Sequence, residues 1–186
     1  MHNAVSTIAT VIHLVFISSV AFSEDVDNPQ YINWVKFPVG TEVTSTATVS
    51  QNGKTTTTTT IIRLLNKSEK NVILSTVISS DGTGSLVTND PIEKTVNRNF
   101  PLLPGVDRTK IGRPQGSQAS GLETIEILGK KYEAQWYETK STTEAGPALT
   151  KTWISMDIPN MLLKSVTEVK AADKKMNIEV TGIKIP

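Results

Sequence analysis

The sequence predicts a mainly β fold: an antiparallel meander, closed or partly closed into a barrel, preceded by one short helix. Three observations carry that reading. After Phe37 no run of ten or more residues shows a helical apolar stripe. From Gly40 onward, short segments alternate apolar and polar residues with the two-residue period of a half-buried strand. Turn signals built from Gly, Pro, Asn and Asp separate those segments at short spacing, giving roughly nine to eleven strands.

The chain opens on an apolar run. Ala4 to Phe22 contains no Lys, Arg, Asp or Glu, and Ala21-Phe22-Ser23 has the small-x-small pattern that signal peptidase cleaves. Residues 1–23 therefore read as a secretory signal peptide, leaving 24–186 as a single β-rich domain. The competing reading is an uncleaved anchor helix, for which the stretch is barely long enough. The chain has no cysteine, and both of its histidines, His2 and His13, precede Ser23. Without imidazole or thiol after that point, Ser-His-Asp and Cys-His chemistry, His- or Cys-ligated zinc, and disulfides are all excluded. No cofactor or metal is expected. Export without disulfides points to a bacterial periplasm or cell surface. A formal net charge of +1 gives no field that would draw nucleic acid.

Along the exported part, Glu24 to Gln30 reads as a flexible acidic start. Asn28-Pro29 then offers a helix N-terminus, since Pro is tolerated at the first helical position. Tyr31, Trp34 and Val35 share one face of about two turns, and the helix stops before Pro38 because that ring disfavours helical backbone in the preceding residue. Val43, Ser45, Ala47 and Val49 form the first period-two stripe. Asn52-Gly53 is a type I′ hairpin signal, because both central residues need positive φ. The return strand carries six consecutive threonines, Thr55 to Thr60, whose β-branching favours extended backbone over a disordered or glycosylated tract. Asn66-Lys67-Ser68 fits a glycosylation sequon, meaningful only in a eukaryote. Val72 to Ser79 is the next strand, Ser80 to Gly84 a turn without the acidic repeats of a calcium loop, and Pro91 to Asn97 a further strand.

Phe100 to Ser120 is the least regular segment. Three of the chain's four arginines lie in or beside it. Arg98, Arg108, Lys110 and Arg113 could accept a carboxylate or phosphate through forked hydrogen bonds, with a solvated surface loop as the competing reading. Gly121 to Lys164 is the stretch that anchors the rest. Two strands meet at a turn placed at Gly129-Lys130, with Tyr132, Ala134 and Trp136 alternating against Glu133, Gln135 and Tyr137. Residues 139–147 read as a polar end and turn. Thr150 to Met156 sets Trp153 on the face opposite Thr152 and Ile154; Pro159-Asn160 turns the chain, and Leu162 to Val169 returns. The last strand turns Met176, Ile178 and Val180 inward.

Three blocks carry a resemblance. They are Asn28-Pro-Gln-Tyr-Ile-Asn-Trp-Val-Lys-Phe-Pro-Val-Gly-Thr-Glu-Val43, Gly121-Leu-Glu-Thr-Ile-Glu-Ile-Leu-Gly-Lys-Lys-Tyr-Glu-Ala-Gln-Trp-Tyr-Glu138 and Lys151-Thr-Trp-Ile-Ser-Met-Asp-Ile-Pro-Asn-Met-Leu-Leu-Lys-Ser165. Together they resemble small, uncharacterised exported proteins of planctomycete-type bacteria. The likeness covers the ends and the second half well and the threonine-rich part poorly. Where that group has a glycine-rich turn after the proline, this chain has Asn160-Met161. Where that group often has a cysteine, it has Ala134, which argues against a redox role there. The resemblance implies a curved sheet similar to the LolA/LolB/LppX lipoprotein-carrier half-barrel. The expected fold is thus mainly β, an antiparallel meander forming a half-barrel or open barrel with one short N-terminal helix. No catalytic residue comes with that likeness.

Three functions are weighed. The first is a non-enzymatic binding protein carrying a lipid or other apolar ligand in the curved sheet, with Trp34, Trp136, Trp153 and Met161 as candidate ligand-binding residues and core filling as the competing role for each. The second is a structural or assembly component of the cell envelope, acting on a protein partner through sheet edges or the Arg-bearing loop. The third is a carboxylate-only enzyme such as a glycosidase. It would need two of Glu123, Glu126, Glu133, Glu138 and Glu144 to stand about 5 to 10 Å apart across a cleft. On alternating strands beside Lys130, Lys131 and Lys140 those acids read better as solvated partners, so the sequence favours no enzyme.

Overall fold

In the computed structural model, which describes residues 24–81 and 86–186, the chain folds into twelve strands and one α-helix. The expected signal peptide, residues 1–23, lies outside the described residues, as does most of the turn at 80–84. The elements are β1 (Asp25–Asp27), α1 (Pro29–Trp34), β2 (Glu42–Gln51), β3 (Lys54–Lys67), β4 (Asn71–Asp81), β5 (Leu86–Thr88), β6 (Ile92–Asn97), β7 (Asn99–Pro101), β8 (Ser117–Ile127), β9 (Lys130–Thr143), β10 (Gly146–Ile154), β11 (Leu162–Val169) and β12 (Lys174–Lys184). Ten strands make one antiparallel sheet in the order β5-β4-β3-β2-β12-β11-β10-β9-β8, with β6 also paired to β4; β1 pairs with β7. Two meanders, β2–β4 and β8–β12, are therefore joined where the last strand pairs with the first long one. The sheet is open, an open half-barrel rather than a closed barrel.

Local chemistry explains the elements. Asn28 caps α1 by accepting the Gln30 amide on its side chain at 3.0 Å, and Pro29 stands at the first helical position. Asn52 and Gly53 take φ of 50° and 73°, the left-handed pair that a two-residue hairpin needs. The threonine run lies wholly within β3, paired with β2 on one side and, from Thr57, with β4 on the other. There its β-branched side chains sit on a pleated surface that suits them.

Three details differ from the sequence reading. Glu24 to Gln30 is not a loose start: Asp25–Asp27 pairs with Asn99–Pro101, and Asn99 donates to the Asp27 carboxylate at 3.1 Å. The β8–β9 turn falls on Leu128-Gly129, at φ of 53° and 72°, so Lys130 is already a strand residue facing Ile127. The polar stretch 139–147 is mostly strand, because Thr139, Ser141 and Thr143 find partners in Thr150, Ala148 and Gly146 across a two-residue turn.

The core gathers at one end of the sheet. Trp34 and Tyr31 of α1 pack with Val43, Leu64, Val72, Leu74, Val96, Val180 and Leu163, all less than a tenth exposed. Full burial of each aliphatic chain stabilises by about 1.5–3 kcal/mol, so this cluster holds the helix against the sheet. β10 and β11 stop short of their neighbours at this end, and the loop at 155–161 fills the gap. Asn33, fully buried, donates to the carbonyls of Met156 at 3.2 Å and Ile158 at 2.9 Å, tying that loop to the helix.

Candidate functional site: the uncharged face beyond the helix

Strand register sorts the sheet's side chains onto two faces of opposite character. One row reads Gly121–Trp136–Trp153–Lys164–Glu179–Thr46–Thr59–Ser79. The ion pairs within the large sheet all lie on this face among the described residues: Lys164–Glu179 at 3.6 Å, Lys175–Glu168 at 3.3 Å, Lys151–Glu123 at 3.1 Å, and Arg63–Glu42. Those pairs mark the solvent side across β2, β3, β11 and β12, whereas in β8 and β9 the same alternation carries buried Ile127 and Ala134, and half-buried Trp153 packs against the core cluster.

The adjacent row reads Tyr137–Thr152–Ser165–Ile178–Ala47–Thr58–Ser80, and the next Thr139–Thr150–Thr167–Met176–Val49–Thr56. Neither contains a charge. This is the face that α1 covers, since Val43, Leu64, Leu74 and Val180 stand on it by the same alternation. The helix reaches only one end. Beyond it the face is half-buried, and its hydroxyls bond one another across strands: Thr150 with Thr167 at 2.9 Å, Thr152 with Ser165 at 3.0 Å, Thr58 with Ser80 at 3.3 Å. A threonine whose hydroxyl is paired in this way keeps its methyl group as apolar surface. Near the far rim a groove of about 430 Å³ lies between the turn at 143–145 and Thr167, Val169, Lys174 and Met176. That volume is within the range of small-molecule sites.

The candidate ligand-binding residues named from sequence do not converge. Trp34 is fully buried in the core. Trp136 and Trp153 are directly opposite each other in β9 and β10, on the ion-paired face. Lys151 lies over both indoles, its Nζ 4.7 Å and 4.6 Å from the ring centroids, an arrangement favoured by the rings' negative faces. Glu123 accepts from Trp153 Nε1 at 2.9 Å and from Lys151 Nζ at 3.1 Å. The Trp153 bond first, and then the Lys151 bond, holds its carboxyl below the ordinary carboxylate range. Met161 sits in the β10–β11 turn at φ of 62°, its carbonyl accepting the Ser155 amide at 2.8 Å.

The four cations of the irregular segment are divided as well. Arg98 faces Asp27 at 4.0 Å, and Arg108 pairs with Glu24, so both meet the acidic stretch at the start of the described chain. Lys110 and Arg113 remain together, lining a pocket of about 390 Å³ with Val106 and Ser117. The threonines and serines of the covered face were missed as site residues. Their signal was present: one parity of β2, β3, β10 and β11 lacks charge almost throughout.

In class terms this is an open antiparallel half-barrel, filled at one end by a helix and bare at the other. No family model and no curated protein matches the chain. Solved structures do align with it. A protein of Bacteroides fragilis assigned as exported and as having a YmcC-like fold is 9% identical, aligns over 80% of this chain and 97% of its own, and gives a TM-score of 0.49. The lipoprotein LppX of Mycobacterium tuberculosis is 10% identical over 84% and 92%, with a TM-score of 0.41. A DUF1329 family protein of Desulfovibrio piger is 10% identical over 85% and 93%, with a TM-score of 0.30.

Proposed function

We propose that this is an exported, non-enzymatic binding protein that carries a lipid or other apolar ligand on the covered face of its half-barrel, beyond α1. One observation carries the reading: beyond α1, the only α-helix among the described residues, that face presents two adjacent half-buried rows without charge, one of them crossing seven strands. Apolar concavities with a few polar groups are the usual form of small-ligand sites. Export as a single domain of residues 24–186 to a bacterial periplasm or surface rests on the apolar N-terminal run ending at Ala21-Phe22-Ser23. Among the described residues no helix is long and apolar enough to cross a membrane.

The test is native mass spectrometry, with organic extraction, of protein purified from its own host, repeated on Ala47→Phe. Ala47 stands in the middle of the uncharged row, so a benzyl group there fills the trough. An apolar adduct on the parent protein, lost in Ala47→Phe at unchanged circular dichroism, is the expected result. A ligand-free parent that also takes up no apolar fluorescent probe overturns the reading.

A second reading, a structural or assembly component of the cell envelope working through protein contacts, is favoured by the outer edge of β8. That strand runs eleven residues and, among the described residues, has a neighbour on one side only; its Leu122 is 80% exposed. Long bare edges invite strand addition by a partner. Size-exclusion analysis and pull-down from host membranes test it, and a strict monomer that retains no partner at high concentration refutes it.

A further inference from the structure

At the rim of the uncharged face the chemistry changes. The outermost row across β11, β12, β2 and β3 reads Val169–Lys174–Gln51–Lys54, on the same side of the sheet as Met176, Val49 and Thr56. Lys174 also lines the 430 Å³ groove. Neighbouring strands are about 4.8 Å apart, so two lysines separated by one strand stand about 10 Å apart at the backbone. Their long side chains can meet over a single group between them. Among the described residues neither lysine forms an ion pair, whereas Lys151, Lys164 and Lys175 on the opposite face are all paired. Two carboxylates are near: Glu144 lines the groove from the exposed turn, and Asp173 precedes Lys174 in the chain, also exposed. Half-buried Lys174 is less screened by solvent than either of them.

We infer that the ligand is an amphiphile with an anionic head, a carboxylate or a phosphate, held at the rim by Lys174 and Lys54 while its tail lies along Met176, Ile178 and the threonine methyls toward α1. This deepens the function proposed above and rests on it. The lysines set polarity: a tail entering from the bare end finds no charge until the head reaches the rim. They also set selectivity, since a neutral head gains nothing from them, whereas an anionic one gains a charge-assisted hydrogen bond.

The experiment measures binding of lauric acid, dodecyl phosphate and dodecanol, three probes with one tail, to the exported protein and to Lys174→Gln, Lys54→Gln and Glu144→Gln. The acid or the phosphate is expected to bind about tenfold tighter than the alcohol, the size of one charge-assisted contact. Lys174→Gln is expected to remove that preference and leave alcohol binding as it was. Glu144→Gln is expected to strengthen binding of the anionic probes, and added salt to weaken only those. Whether the carboxylate or the phosphate binds tighter identifies the head. Equal affinity for all three probes in the parent, or a Lys174→Gln loss shared by the alcohol, overturns the head assignment while the trough stands. If no probe binds, both readings fall.

Discussion

Gly121→Ala tests whether the Trp136–Lys151–Trp153 stack is held as rigidly as its contacts imply. Gly121 faces Trp136 across the β8–β9 pair, and a methyl at that position would lie 2.8 Å from the indole nitrogen and 2.9 Å from two ring carbons. Comfortable contact needs about 3.5 Å, so the ring must retreat by about 0.7 Å. It has little room, because Trp153 stands opposite it and the Lys151 ammonium lies 4.7 Å from its centroid. Overfilling of this kind costs about 1–3 kcal/mol. Against it, replacing Gly by Ala in extended backbone stabilises by about 0.4–1 kcal/mol, since the unfolded chain loses freedom. The clash wins, and the expected net loss is about 1–2 kcal/mol, or about 2–8 °C in Tm. Urea unfolding followed by tryptophan fluorescence reads it directly. The same substitution in a Trp136→Ala background should be neutral or stabilising, a coupling of at least about 1 kcal/mol. A Gly121→Ala protein as stable as its parent, or equally destabilised with and without Trp136, refutes the packing argument.

Three further outcomes are expected. Asn33→Ala leaves the Met156 and Ile158 carbonyls without their side-chain donor and should cost about 2–3 kcal/mol in chemical denaturation, with the β10–β11 loop losing protection in hydrogen exchange before the strands do. Gly53→Ala meets nothing within 4 Å, so its cost is purely that of a left-handed backbone at φ of 73°, about 1–2 kcal/mol in the urea midpoint free energy. Glu123 has a folded pKa below its unfolded value, so its contribution is complete above the unfolded value and lost as pH falls through the folded one. An acid titration of Trp153 fluorescence should show a step in that low window, and Glu123→Gln should abolish it.

What the sequence disclosed was local and what it hid was relational. Asn52-Gly53, the Asn28-Pro29 cap and the alternation of Val43 to Val49 each declared themselves, because the physics that fixes them acts within a few residues. The pairing of β1 with β7 could not be read from Asp-Val-Asp alone, since its partners lie more than seventy residues away. The turn at Asn160-Met161 was flagged as departing from the glycine-rich turn of similar sequences, and both residues take positive φ, the conformation glycine adopts without strain. Candidate ligand residues were sought among tryptophans, which register puts in the core or on the ion-paired face. The uncharged rows proposed as the ligand face consist mostly of Thr, Ser and Ala, and their lack of charge emerges only when seven strands lie side by side.

The seam between β2 and β12 has a consequence for how the molecule comes into being. The final eleven residues of sheet do not decorate its margin; they are the middle plank on which two separately plausible halves are nailed together. Until Lys174–Lys184 is present, the side of β2 that faces β12 has its amides and carbonyls unpaired, while the other side pairs with β3, and closing that edge spans some 130 positions of chain. A sheet so arranged cannot complete its central pairing until the strand furthest along the chain is available.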